Sequence, residues 1–188
     1  LRVKIHEGVT FSDGTPLTAD DVVYSIQRAC ANSASAATFS NFDGPSTVKV
    51  DDYTVTLVKA STYASVIDYF CSYFYMASPA AYDADPTGFA THPVGTGAYV
   101  FDHRDAATGY VYLTANEDYF QGAPHFKKLE VHTMLDSATA LIAMENGELD
   151  LCLTPSISDF ELASENSALK TGTTTGWTQM TMMLMGEP

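Results

Sequence analysis

Gly8-Val9-Thr10-Phe11-Ser12-Asp13-Gly14-Thr15-Pro16-Leu17-Thr18-Ala19-Asp20-Asp21-Val22-Val23-Tyr24-Ser25 carries a turn, a helix start and a helix in one unbroken run. Ser12 to Pro16 is a turn cluster. Asp bonds its own backbone, Gly accepts positive φ, and Pro presets φ near −65°. Thr18 reads as an N-cap. Asp21, three residues on, completes a capping-box-like pair and sets a carboxylate at the positive end of the helix dipole. Val22, Val23, Ile26, Ala29 and Cys30 follow at helical spacing, so an amphipathic helix runs to about Ala31.

Outward from that run, local patterns alternate between strand and helix. Leu1, Val3 and Ile5 alternate with Arg2, Lys4 and His6, as in a half-buried strand. Asn32 to Pro45 lacks a period and reads as a loop. Val48, Val50, Val55 and Leu57 alternate with threonines and lysine about Asp51-Asp52, which predicts a hairpin. Tyr63 to Met76 reads as a largely buried aromatic helix. Ser78-Pro79 starts another helix, which Asp85-Pro86-Thr87-Gly88 breaks. The Pro/Gly segment His92 to Gly97 is a place for the chain to change direction and a lobe boundary. Ala98–Phe101, Tyr110–Thr114 and the Leu129/Val131 region read as strands. Ser137 is expected to cap a helix that Gly147 ends at C′. Leu149 to Leu153 reads as a short buried strand. A helix is expected from Ser158, with Glu161 completing its capping box, and a last strand over Trp177 to Met185. Interleaved strands and helices argue α/β or α+β.

The chain has 188 residues, with 9 Lys+Arg against 23 Asp+Glu and a net charge of −14. That balance excludes nucleic acid as a partner, because no basic patch can form in such a field. A chain of this length can bury roughly 70% of its unfolded surface, enough for a true core. No run of about 18 apolar residues is present to span a membrane. The start, a strand pattern without Met, fits a chain cut from something longer. Cys30, Cys71 and Cys152 cannot all pair. Each sits among apolar neighbours, as small buried hydrophobes do.

Candidate chemistry is sparse. His6, His92, His103, His125 and His132 make no H-x-x-x-H spacing, so no metal is expected. Gly95-Thr96-Gly97 lacks the third glycine of a nucleotide cradle and reads as a bend. No G-x-S-x-G elbow surrounds a serine. Asp102/Asp105 and Glu117/Asp118 fit solvated loop faces better than acid/base pairs. Met180, Met182, Met183 and Met185 suit an irregular core or an adaptable pocket wall. Nothing here assembles a nucleophilic or redox centre, so no enzyme and no cofactor is expected.

The ordered motifs carry more. The run quoted above, Val48-Lys49-Val50-Asp51-Asp52-Tyr53-Thr54-Val55, Pro93-Val94-Gly95-Thr96-Gly97-Ala98-Tyr99, Asn116-Glu117-Asp118-Tyr119-Phe120 with Gly122-x-Pro124, and Ala140-Leu141 through Gly147-Glu148-Leu149-Asp150 occur in sequence order. Together they resemble the family 5 extracellular solute-binding proteins, the dipeptide- and oligopeptide-binding components of ABC importers. The resemblance implies an α/β class II periplasmic-binding-protein-like fold, here a satellite domain (1–91) plus part of the first main lobe (92–188). It implies that a segment before Leu1 and the second lobe lie outside the chain. It also implies capture of peptides outside the membrane, in the periplasm or as an anchored lipoprotein, by a monomer that delivers them to a membrane permease. A nickel chelate, haem or an oligosaccharide is the alternative cargo, and peptide sensing an alternative role. An α/β hydrolase is a remote alternative. Phe39 and Phe42, in the loop after the signature helix, are the implied aromatic ligand contacts. Leu184 and Met185 stand where family members often carry a ligand-facing Asn, which implies a more apolar wall. Pro93, Gly95 and Gly97 mark the hinge or lobe boundary.

Overall fold

The computed structural model describes residues 1–33, 35–59, 73–134, 136–153, 155–174 and 180–185; at 174 and 180–185 it describes the backbone alone. It divides into two compact units, Leu1–Val131 and His132–Pro188.

In the first unit, β1 (Arg2–Lys4), β2 (Phe42–Asp51) and β3 (Thr54–Lys59) form an antiparallel sheet in the order β1-β3-β2. Helix α1 (Ala19–Ala31) packs on β2 and β3. The spacing predicted this helix and both of its ends. The Asp21 carboxylate accepts the Thr18 N–H at 2.7 Å and the Thr18 hydroxyl at 2.9 Å, which closes the first turn. Ala19, Val22 and Ile26 fall on one face and are fully buried against Val55 and Leu57, with Ile5, Val9, Phe11 and Leu17 around them. Each large apolar side chain so buried contributes roughly 1.5–3 kcal/mol. The Asp51–Asp52 hairpin forms as expected, and the Asp51 carboxylate accepts the Tyr53 N–H at 2.9 Å.

Strand β2 begins at Phe42, inside the expected loop. Phe42 pairs with Lys59 and Asp43 with Val58; the register then breaks before Val48↔Thr56. Thr47, 1% exposed, fills that irregularity. Its hydroxyl donates to Asp43 O at 3.1 Å and accepts the Val58 N–H at 3.5 Å. Side-chain bonds thus replace ladder bonds around Gly44-Pro45, which local pattern reads as loop.

Ser78 caps α2 (Pro79–Ala84) and Asp85 caps the short turn α3 (Pro86–Phe89), so the expected break restarts helical geometry. The expected helix over Tyr63 to Met76 lies largely outside the described residues. Strands β4 (Tyr99–Arg104), β5 (Val111–Ala115) and β6 (Lys128–Val131) form an antiparallel meander.

In the second unit, β7 (Leu151–Leu153), β8 (Leu169–Thr174) and β9 (Met180–Met185) pair antiparallel with β9 central. Helices α4 (Ser137–Glu145) and α5 (Ile157–Glu165) complete it. Its core is Ala140, Leu141, Met144, Cys152, Ala163 and Leu169. Helix α4 ends as expected. Gly147 has φ +75°, and the N–H groups of Gly147 and Glu148 donate to Met144 O and Ala143 O, a Schellman ending. Both helix starts differ from expectation. Asp136, not Ser137, caps α4 and accepts the Thr139 N–H; Ser156, not Ser158, caps α5 and accepts the Asp159 N–H. β7 is buried only at Cys152, while Leu151 and Leu153 are exposed.

Candidate binding site

The residues singled out from sequence fall in three places. Phe39 and Phe42 lie in the first core, 5% and 6% exposed. Their ring centroids are 6.2 Å apart, and Phe74 meets Phe39 edge-on at 6.2 Å. These are the two rings that the family resemblance implied as ligand contacts. The loop between α1 and β2 is held by local bonds: Ser35 Oγ donates to Ala29 O at 2.7 Å, and the Phe42 N–H donates to Phe39 O at 2.9 Å.

The Pro93–Gly97 segment is fastened within the first unit. The Ser12 N–H donates to Gly95 O at 2.9 Å, Asn116 Nδ2 donates to Gly97 O at 3.1 Å, and Val94 packs against the first core. The two compact units meet in sequence at Val131/His132.

Leu184 and Met185 are at the end of β9. Leu184 pairs with both Leu151 and Lys170, and Met185 with Leu169. They therefore occupy the central strand of the second sheet.

Several of the carboxylates have structural partners. Asp105 accepts the N–H groups of Thr108 and Ala107, which hold its carboxyl below the usual range. Glu117 pairs with Lys127 at 2.7 Å, and Asp102 lies 3.1 Å from His103 Nδ1. Lys49 bridges Asp20 and Asp52 at 2.7 and 2.8 Å, which keeps its ammonium charged. Burial raises the Cys30 and Cys152 thiols, so neither is a thiolate at neutral pH. Among the described residues no three His, Cys, Asp or Glu side chains are placed to hold a metal, and no helix is long and apolar enough to cross a membrane.

One cluster escaped the sequence reading. Asp159, 9% exposed, accepts hydrogen bonds from the hydroxyls of Ser137 and Ser156. It thereby joins the first turns of α4 and α5. The pattern Ser156-x-x-Asp159 was available as a capping signal.

The signature helix on its hairpin and the β9-centred sheet form part of a periplasmic-binding-protein fold. The chain belongs to the bacterial extracellular solute-binding proteins, family 5, whose middle-region model matches residues 1–188. This is a family of solute-binding proteins rather than of enzymes, and its members work outside the cytoplasm. The chain is 30% identical over 178 residues to Heme-binding protein A of Haemophilus influenzae, covering 84% of this chain and 32% of that protein. It is 26% identical over 176 residues to the oligopeptide-binding protein AppA of Bacillus subtilis, covering 89% of this chain and 32% of that protein. The AppA structure in complex with a nonapeptide matches with TM-score 0.74 at 24% identity, over 92% of this chain and 36% of that one. MoaA of A. tumefaciens R10, in complex with mannopinic acid, matches with TM-score 0.79 at 24% identity, over 93% and 36%. The chain thus spans about a third of the length of the relatives it matches.

Proposed function

We propose that this chain is part of the binding component of an ABC importer that captures peptides outside the membrane and delivers them to a membrane permease. The observation that carries this reading is the family match over residues 1–188, joined to similarity to an oligopeptide-binding protein over most of the chain. The mechanism is lobe closure: ligand binds the closed arrangement of two lobes better than the open one and shifts the population. A peptide is then held by main-chain hydrogen bonds in strand-like fashion, with side chains in roomy pockets.

In this reading β9 supplies a wall of the site through Leu184 and Met185. Phe39 and Phe42 serve by anchoring the loop before β2. The Pro93, Gly95 and Gly97 segment supports the lobe boundary. The protein acts as a monomer, without nucleic acid, in the periplasm or as a lipoprotein on the outer face of the cell membrane.

A second reading keeps the fold and changes the cargo to haem. It is favoured by the 30% identity to Heme-binding protein A, above that to AppA. Denaturing the protein purified from its native envelope fraction and identifying what elutes by mass spectrometry separates the two. A peptide mixture supports the first reading. A porphyrin without peptide overturns it in favour of the second.

A further inference from the structure

Asn146 is the one asparagine in the sequence that is followed by glycine. It is the C-cap of α4, with φ −79° and ψ −7°, and Gly147 follows at φ +75°. With no Cβ on Gly147, its nitrogen is open to close approach. Once hydroxide has taken its proton, that nitrogen can attack the side-chain amide carbon of Asn146 and form a five-membered imide. The new C–N bond replaces the amide's own, and ammonia leaves. Water then opens the ring to aspartate or isoaspartate. Both reacting groups belong to one turn, and hydroxide and water are the only other reactants.

Two features of that turn oppose the step. The attacking nitrogen must lose its proton, yet the Gly147 N–H is donated to Met144 O at 3.1 Å. The nitrogen must also eclipse Asn146 Cβ, which turns ψ far out of the helical region where Asn146 sits. The turn is anchored against such a rotation. The Asn146 N–H donates to Ile142 O at 3.0 Å and the Glu148 N–H to Ala143 O at 2.8 Å. Ala143 and Met144 are buried in the second core region. Glu145 Oε1 accepts Nδ2 of Asn166, the C-cap of α5, at 3.0 Å.

We propose that Asn146-Gly147 is a gated deamidation site. It is closed while the last turn of α4 keeps its hydrogen bonds, within the helix and to α5, and reactive when that turn opens. The products do not fit the closed turn. Isoaspartate adds a methylene to the backbone just before the N–H groups that must reach Met144 O and Ala143 O. Aspartate places a carboxylate at the negative end of the helix dipole. An opening that is followed by reaction is therefore not reversed.

The test incubates the full chain in mildly alkaline buffer, folded and in urea, beside a synthetic peptide of residues 141–151. Peptide mapping by mass spectrometry reads the amide-to-acid mass gain at Asn146, and isoaspartyl methyltransferase labelling reads the isomer. The unfolded chain and the peptide should react at similar rates. The folded chain should react about tenfold or more slowly, the factor that an opening free energy of about 1.4 kcal/mol sets. Asn146→Gln should abolish the gain. Glu145→Ala removes the tie to Asn166 at an exposed helical position. It should speed the folded chain several-fold relative to a peptide carrying the same change, with matching circular dichroism confirming its fold. A folded rate equal to the peptide's, no product in the unfolded chain, or an unchanged ratio in Glu145→Ala overturns the proposal.

Discussion

Ser25 and Ala77 hold each other by a two-way bond across the first unit: the Ser25 hydroxyl donates to Ala77 O at 3.3 Å and accepts the Ala77 N–H at 3.1 Å. Ser25 is 4% exposed and Ala77 8%. The same face of α1 adds a Tyr24 hydroxyl bond to Asp83 at 2.9 Å and the Arg28 guanidinium 3.8 Å above the Tyr82 ring. The signature helix is thus a mount for residues 77–83. Ser25→Ala leaves a buried N–H and carbonyl without their partner. A loss of about 1–3 kcal/mol is expected in urea unfolding. Parental stability would show that the bond carries no net weight.

Asp159 gives the second unit an acid dependence of known sign. Hydrogen bonds from Ser137 first, then Ser156, hold its carboxyl below the usual carboxylate range. A depressed folded pKa stabilises the fold above the unfolded value near 3.9, and that stability is lost as pH falls through the folded pKa. The unfolding midpoint should therefore fall below about pH 5. Asp159→Asn should flatten that part of the profile. An unchanged acid limb in the variant would assign the effect to other carboxylates.

Gly44 and Gly95 should respond differently to alanine. A Cβ at Gly44 would meet Cys30 Cβ at 2.9 Å and Gln27 Cα at 3.3 Å, neither of which can swing away. Gly44→Ala should destabilise by about 1–3 kcal/mol, as overpacking does. A Cβ at Gly95 meets nothing within 4 Å, and its φ is not positive. Gly95→Ala should stay within about 0.5 kcal/mol of the parent. Thermal melts of the pair read both.

The chain alone should hold peptide poorly. Two concavities among the described residues are open grooves, one along Arg2, Lys4, Asp51 and Tyr53, the other along Gln27, Cys30 and Pro45. Small-ligand sites bury roughly 70–90% of the ligand. A Kd weaker than about 1 mM for mixed tri- to nonapeptides is expected, near 4 kcal/mol. Micromolar binding in calorimetry would overturn this expectation.

Much of the first unit was legible because its signals are local. Thr18 and Asp21 lie one turn apart, Val22 and Ile26 repeat at helical spacing, and Asp51-Asp52 separates two alternating runs. The true N-caps of α4 and α5 were missed by one and two residues. Asp136 and Ser137, or Ser156 and Ser158, offer equivalent oxygens within a residue or two. Packing chose among them, because Ser137 and Ser156 both turn to Asp159.

The sequence by itself determined the family, the signature helix, the hairpin and the glycine-terminated end of α4, since each rests on contacts a few residues long. Tertiary structure decided the rest. It drew Phe39 and Phe42 into the core, tied Gly95 and Gly97 to Ser12 and Asn116, and set α4 beside α5 through Asp159. Those outcomes depend on partners 19 to 83 residues away for the polar ties, and on apolar burial, which is non-directional; local pattern carries neither.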